Sequence, residues 1–159
     1  MRCGDSTGAV SPPRNWIPDA FRKSAILTSM VEAHWTTLVE RALEVRRHAY
    51  APYSRFAVGA AVLAGDGVIY AGVNVENASY GLTTCAERAA AFAAVAAGQT
   101  RFTALAIASG GGEPPCGACR QVLAEFCNDL PIVLVDSERP GQWKETSLGQ
   151  LLPDRFPQR

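Results

Sequence analysis

Cys85 and Glu87 stand two residues apart in Thr84-Cys85-Ala86-Glu87-Arg88, and Cys116 and Cys119 stand three apart in Pro114-Pro115-Cys116-Gly117-Ala118-Cys119-Arg120. Both stretches read as helix starts. Residues one helical turn apart project to the same side, so the sulfurs of Cys116 and Cys119 can reach one ion at roughly 2.3 Å, and Cys85 supplies a third. Three sulfur ligands leave the fourth position of a zinc ion open, and Glu87 is a spare acid able to move protons beside it. Such an inventory suits chemistry, not a structural staple. Each half has a plainer alternative: Cys-x-x-Cys can be a metal-free redox pair, and Thr84-x-x-Glu87 has the spacing of a capping box. Neither explains a thiol placed two residues before an acid at a second helix start. The two stretches together point to a catalytic zinc site.

Five cysteines are present in all. Cys127 lies eight residues beyond Cys119, about 12 Å along an unbroken helix, too far to share its ion, and is read as an apolar buried cysteine. An odd cysteine count in a chain of 159 residues fits reduced thiols in the cytoplasm better than a secreted disulfide framework. Fifteen basic residues balance fifteen acidic ones, so no net field draws the chain to nucleic acid or anionic lipid. No apolar run approaches a membrane span. With 48% hydrophobic residues, the length supports one core and one domain.

The elements that must carry these residues follow from periodicity. Residues 1–28 mix Gly, Ser, Pro and charge, with Pro12-Pro13 and Pro18 against any helix, and read as a flexible or dispensable tail preceding a domain over residues 29–156. Trp16, Ile17 and Phe21 would be what docks if the tail is not dispensable. Ser29 and Glu32 have capping-box spacing, and Trp35, Leu38, Val39, Ala42 and Leu43 recur at helical intervals, which predicts an amphipathic helix from about Met30 to His48. His34 and His48 have no motif around them and are given no chemistry. Ala57–Leu63 and Val68–Val75 are apolar runs joined through Asp66-Gly67, an antiparallel hairpin with Asn74 and Glu76 on one face at its end. The alanine-rich run Cys85–Ala97 before Gly98 predicts a helix lying close to a sheet. Phe102–Ala108 and Ile132–Val135 read as strands covered on both faces, separated by a short helix from Cys116 to about Cys127. A short helix and a tail to Phe156 complete the chain. This order implies a mixed sheet between helical layers.

Four motifs now resemble one family. Tyr53-Ser54-Arg55-Phe56-Ala57-Val58-Gly59-Ala60, Asn74-Val75-Glu76-Asn77-Ala78-Ser79-Tyr80-Gly81, Thr84-Cys85-Ala86-Glu87-Arg88 and Pro115-Cys116-Gly117-Ala118-Cys119-Arg120-Gln121 are similar, in order, to the short homotetrameric zinc-dependent cytidine deaminases. The resemblance runs from about Trp35 to Phe156. It implies a three-layer α-β-α fold with a mixed, about five-stranded sheet, and hydrolysis of cytidine and deoxycytidine to uridine and deoxyuridine with release of ammonia. One zinc ion per subunit, held by Cys85, Cys116 and Cys119, would activate water for attack on C4 of the ring, with Glu87 shuttling protons. Asn74 and Glu76 would bind ribose hydroxyls and Phe56 would pack on the pyrimidine. Ala86 would also line the substrate site, and Ala78, Tyr80 and Phe156 would reach into a neighbouring subunit's site. Arg88 and Pro115 would support the metal from behind; three thiolates on a dication carry a net negative charge, which Arg88 and two helix N-termini can offset.

Three rivals remain open. Blasticidin deaminases share the size, metal motif and assembly, although Asn74-Val75-Glu76-Asn77 favours a nucleoside. Polynucleotide deaminases usually have histidine in place of Cys85. A non-enzymatic zinc or redox module would use four protein ligands or a Cys116–Cys119 disulfide.

Overall fold

The structure is a computed structural model describing residues 25–156 other than 140 and 142. Cys3, Trp16, Ile17, Phe21 and the proline-rich part of the expected tail lie outside the described residues. The first helix, α1, spans Ala25–Arg46 and so begins before Ser29. An N-cap has non-helical backbone angles, and Ser29 is already within the helix, so the Ser29/Glu32 spacing does not mark its start. Trp35, Leu38, Val39 and Ala42 are the buried face of α1, as the periodicity requires.

A five-stranded mixed sheet forms the middle layer. Strands β1 (Gly59–Ala64) and β2 (Ile69–Val73) make the expected hairpin, with Gly67 at φ +83° in its turn, Gly67 N donating to Ala64 O and Ala64 N donating to Val68 O, each at 3.0 Å. Strands β3 (Phe102–Ser109) and β4 (Pro131–Asp136) are parallel, and the order across the sheet is β2-β1-β3-β4, followed by an antiparallel edge strand β5 (Trp143–Ser147). The sequence reading placed no strand at Trp143–Ser147. Lys144, Glu145, Thr146 and Ser147 offer no apolar alternation, and only the ladder to β4 holds them extended.

Alternation along the strands sends residues to two cores. Ala61, Ala104, Ala106, Ala108, Val133 and Val135 pack under α1, while Ala60, Val62, Leu105, Ile107, Ile132 and Leu134 face the opposite helices. Those are α2 (Ala86–Ala96), α3 (Gly117–Ala124) and α4 (Leu148–Leu151), the last closed by a capping box between Ser147 and Gln150. Helix α3 is shorter than expected, ending at Ala124, so Cys127 does not continue it.

Helix α2 can lie against β2 only because Gly72 has no side chain. A Cβ there would sit 2.3 Å from Ala90 N and 2.7 Å from Ala86 O. Ala86, Ala90, Ala91 and Ala94 have no exposed surface and complete the close approach. This contact fixes where the first turn of α2, carrying Glu87, stands above the sheet. Gly72→Ala is therefore expected to overpack the interface, at a cost of about 1–3 kcal/mol or more, seen as a lower urea midpoint. An unchanged midpoint would show that the helix is free to rise off the strand.

Candidate active site and metal centre

The two motif cysteines that open helices are the N-cap residues themselves. Cys85 caps α2 and Cys116 caps α3, each in extended conformation and each without a side-chain capping bond. Their sulfurs are 3.8 Å apart, Cys116 and Cys119 are 3.5 Å apart, and all three sulfurs lie within 4.8 Å of one another. Sulfurs at roughly 2.3 Å from a shared tetrahedral ion would be about 3.8 Å apart. The donor set therefore fits one zinc ion with little adjustment. Among the described residues no fourth His, Cys, Asp or Glu joins the cluster, which leaves one position of a tetrahedral ion without a protein ligand. Cys127 stands apart, its sulfur donating to Leu123 O at 3.1 Å, with its thiol pushed up to about 11 by burial.

The electrostatics show how poorly three such sulfurs share a space without a cation. The hydrogen bond from Cys119 and then the Arg88 guanidinium pull the Cys85 thiol down to about 5, against the effect of burial. Cys119 moves strongly the opposite way, through that same hydrogen bond and its burial. The two thiols are thus pushed in opposite directions by the same contact. A dication removes the conflict by letting all three ionise.

Glu87 is 5% exposed. With Cys85 rather than Thr84 as the N-cap, its carboxylate does not close a capping box. Burial is the first cause raising its pKa, and the charge of Cys85 adds to it. A backbone hydrogen bond and then the Cys119 thiol work the other way, and Glu87 lines the same cavity as Cys85 and Cys116.

Arg88 turns toward the same sulfur. One terminal nitrogen donates to Thr83 O at 3.0 Å and lies 3.7 Å from Cys85 Sγ, while its buried Nε has no partner. That contact puts the guanidinium beside Cys85 Sγ, where the sequence reading expects it to support the metal. Arg88→Gln, which removes the cation but keeps a donor, is expected to lower turnover roughly 10–100-fold and to speed zinc loss to a chelator. Unchanged turnover and retention would make Arg88 a bystander.

A cavity of about 240 Å³ opens beside the cluster. Its lining includes Cys85, Ala86, Glu87 and Cys116 together with Phe56, Asn74 and Glu76. Strand β2 stops at Val73, so Asn74 and Glu76 lie just past it, flanking a bridge between Val75 and Thr84. Both side chains hold the loop that carries Phe56. Asn74 accepts from Val58 N and donates to Phe56 O, each at 2.8 Å. Glu76 accepts from Tyr53 N at 2.8 Å, from Ser54 N at 3.2 Å and from the Ser54 hydroxyl.

Other expected residues are elsewhere. Ala78 and Tyr80 belong to an exposed excursion closed off by the Val75–Thr84 bridge, where Tyr80 is 74% exposed, meets Tyr53 edge-on at 6.0 Å and borders a neighbouring hollow. Phe156 is 71% exposed and does not line the cavity. Pro115 is fully buried behind Cys116. The sequence reading assigned no site role to Ser54, Val58, Thr83, Ile107, Ser109, Glu113 and Pro114, which complete the lining. Ser54 and Pro114 lay inside recognised stretches, but Ser109 and Glu113 reach the wall through a tight loop in which Ser109 Oγ accepts from Glu113 N, a contact no spacing announces.

Residues 33–134 match the family described as the cytidine and deoxycytidylate deaminase zinc-binding region. A protein of Sporosarcina psychrophila named cytidine deaminase is 49% identical over 122 residues, covering 75% of this chain and 88% of its own. The cytidine deaminase of Mycobacterium tuberculosis is 46% identical over 129 residues, covering 80% and 92%. Among solved structures, cytidine deaminase from Burkholderia pseudomallei superposes with a TM-score of 0.71 at 50% identity, covering 76% of this chain and 97% of its own.

Proposed function

This chain belongs to the family defined by the cytidine and deoxycytidylate deaminase zinc-binding region, and from that membership we propose that it hydrolyses cytidine and deoxycytidine to uridine and deoxyuridine, releasing ammonia. The observation that carries the reading is a buried carboxyl, Glu87, that lines a cavity of nucleoside dimensions together with two sulfurs of a three-cysteine cluster.

Cys85, Cys116 and Cys119 would hold the zinc ion, which when bound supplies the Lewis acidity that makes water a nucleophile near neutral pH. The remaining steps fall to this chain's side chains. Glu87 takes a proton from water at its carboxylate and gives it to the ring nitrogen beside C4; it then takes the second proton from the hydroxyl now on C4 and passes it to the amine as the C4–N bond breaks and the carbonyl forms. Burial serves this duty, because it raises the affinity of the carboxylate for the proton it must carry. Arg88 and the N-termini of α2 and α3 counter the excess negative charge of three thiolates. Phe56 forms an apolar wall against which a pyrimidine ring can lie, with Ala86 leaving room beside it. Asn74 and Glu76 would meet the sugar, Glu76 through the carboxylate lone pairs not taken by the loop.

We further propose a homotetramer in which Ala78, Tyr80 and Phe156 complete a neighbour's site. Tyr80, Leu82 and Phe156 are apolar and more than two-thirds exposed in the single chain, surface that a second copy would cover. Sulfur ligands that must stay reduced suit a cytoplasmic enzyme, and no helix among the described residues is long and apolar enough to cross a membrane. Free nucleosides are the small-molecule partners. The cavity lining includes Glu76, Glu87 and Glu113 and no Lys, Arg or His, which gives a polynucleotide backbone no anchor there.

Purified protein incubated with cytidine, with deoxycytidine and with blasticidin, each with and without chelator, tests the activity. Uridine, deoxyuridine and ammonia should form only without chelator, and blasticidin should persist. Light scattering should give four times the chain mass; a monomer at full activity would remove the shared-site proposal.

A further inference from the structure

Arg120 follows the cysteine pair directly, yet its guanidinium bonds to backbone on either side of it. Nε donates to Pro115 O at 2.7 Å and Nη1 donates to Leu151 O at 2.9 Å. One end of this bridge is the residue before Cys116, and the other is the last residue of α4. The same C-terminal segment is held twice more near α3: Arg155 donates to Cys127 O and Asn128 O at 3.2 and 3.0 Å, and Phe156 N donates to Gln121 Oε1 at 3.4 Å.

We propose that Arg120 is a positioning residue for the metal centre, locking the Pro115–Cys116 turn onto the C-terminal segment so that the cysteine pair holds its ion only when α4 is in place. This rests on the reading of the three cysteines as a zinc site. Cys116 is the N-cap of α3 and sits outside the helical backbone, with no side-chain capping bond to fix it. Its orientation depends on what grips its neighbours. Pro115 has a ring-restricted φ and a buried position, and Arg120 pins its carbonyl from within α3, closing a loop across the first helical turn. A metal site tolerates ligand displacements of only about 0.2 Å, so a turn released at Pro115 loses affinity before it loses fold. Leu151 O supplies the external anchor that keeps the guanidinium over that turn.

The test uses zinc-loaded protein, transferred into a colorimetric chelator well below the melting point of every variant. Arg120→Gln should release zinc roughly 10–100-fold faster than the unaltered chain. Arg120→Lys, which keeps the charge and can reach one carbonyl, should fall between them. Arg155→Ala, which frees the segment after α4 from Cys127 O and Asn128 O in the full-length chain, should accelerate release in the same direction, and adding Arg120→Gln to it should bring less than the product of the two effects. The cobalt-substituted Arg120→Gln protein should show altered sulfur-to-metal absorption bands, a signature that general destabilisation does not move. Wild-type release rates in Arg120→Gln would overturn the positioning role, and multiplicative effects in the double variant would overturn its dependence on α4. An unaltered chain that binds no zinc at all would instead sink the metal reading beneath it.

Discussion

Replacing Glu87 by glutamine is expected to abolish deamination while leaving zinc in place. The amide keeps the size of the carboxyl and so preserves the packing of a side chain that is 5% exposed, but it cannot accept a proton from water and return it. Removal of a positioned general acid–base costs on the order of 10²–10⁴-fold, and Glu87 serves more than one transfer in the proposed cycle, which puts the loss at the upper end or beyond. Glu87 is not one of the three sulfur donors, so metal content should stay at one ion per chain. Burial also makes the substitution gentle on the fold: a neutral amide is cheaper to desolvate than a carboxylate, and the melting point should not fall much. Steady-state kinetics with metal analysis on the same preparation checks both halves. Near-normal turnover in Glu87→Gln would remove the proton shuttle, whereas loss of zinc would mean that the carboxyl takes part in holding the ion.

Removing the metal should have an effect as large and broader. Dialysis against a strong chelator is expected to eliminate activity, and zinc should restore it. Cys119→Ala should reproduce the loss without chelator and resist rescue, because two sulfurs cannot hold the ion in the arrangement three provide. Stability should follow occupancy. An ion present at a thousandfold its dissociation constant contributes about 4 kcal/mol. For a domain of this size that corresponds to a melting-point drop on the order of 10 °C on removal. Cys127→Ala is the control and should keep both zinc and activity, since that sulfur bonds to Leu123 O outside the cluster. Full turnover after verified metal removal would leave Cys85, Cys116 and Cys119 without the role given to them.

The chemistry was legible in the sequence because its ligands are packed into two short stretches. Cys116 and Cys119 are three residues apart, so local geometry aims that pair, and Cys85 stands as the extended N-cap two residues before Glu87 at another helix start. The motifs around Phe56 and Asn74 marked the other end of the cavity by resemblance. What local reasoning did not supply is the purpose of each polar atom there: Asn74 and Glu76 spend most of theirs on the Tyr53–Val58 loop, a set of bonds spanning 16 to 23 residues. Strand β5 escaped for a related reason, since its polar residues are ordered by the partner strand and not by any pattern of their own.

The amino-acid sequence by itself determined the ligand types, the spare acid, the alanine face of α2 and the apolar strands that both helical layers cover, because each of these is set by spacing of a few residues. Only the tertiary structure decided that the two helix starts meet, with Cys85 Sγ 3.8 Å from a sulfur 31 residues later. Two features of the packing bring them together: the missing side chain at Gly72, which lets α2 lie close on β2, and the parallel register of β3 and β4. Such contacts form between segments distant along the chain, where no periodicity connects one residue to the other.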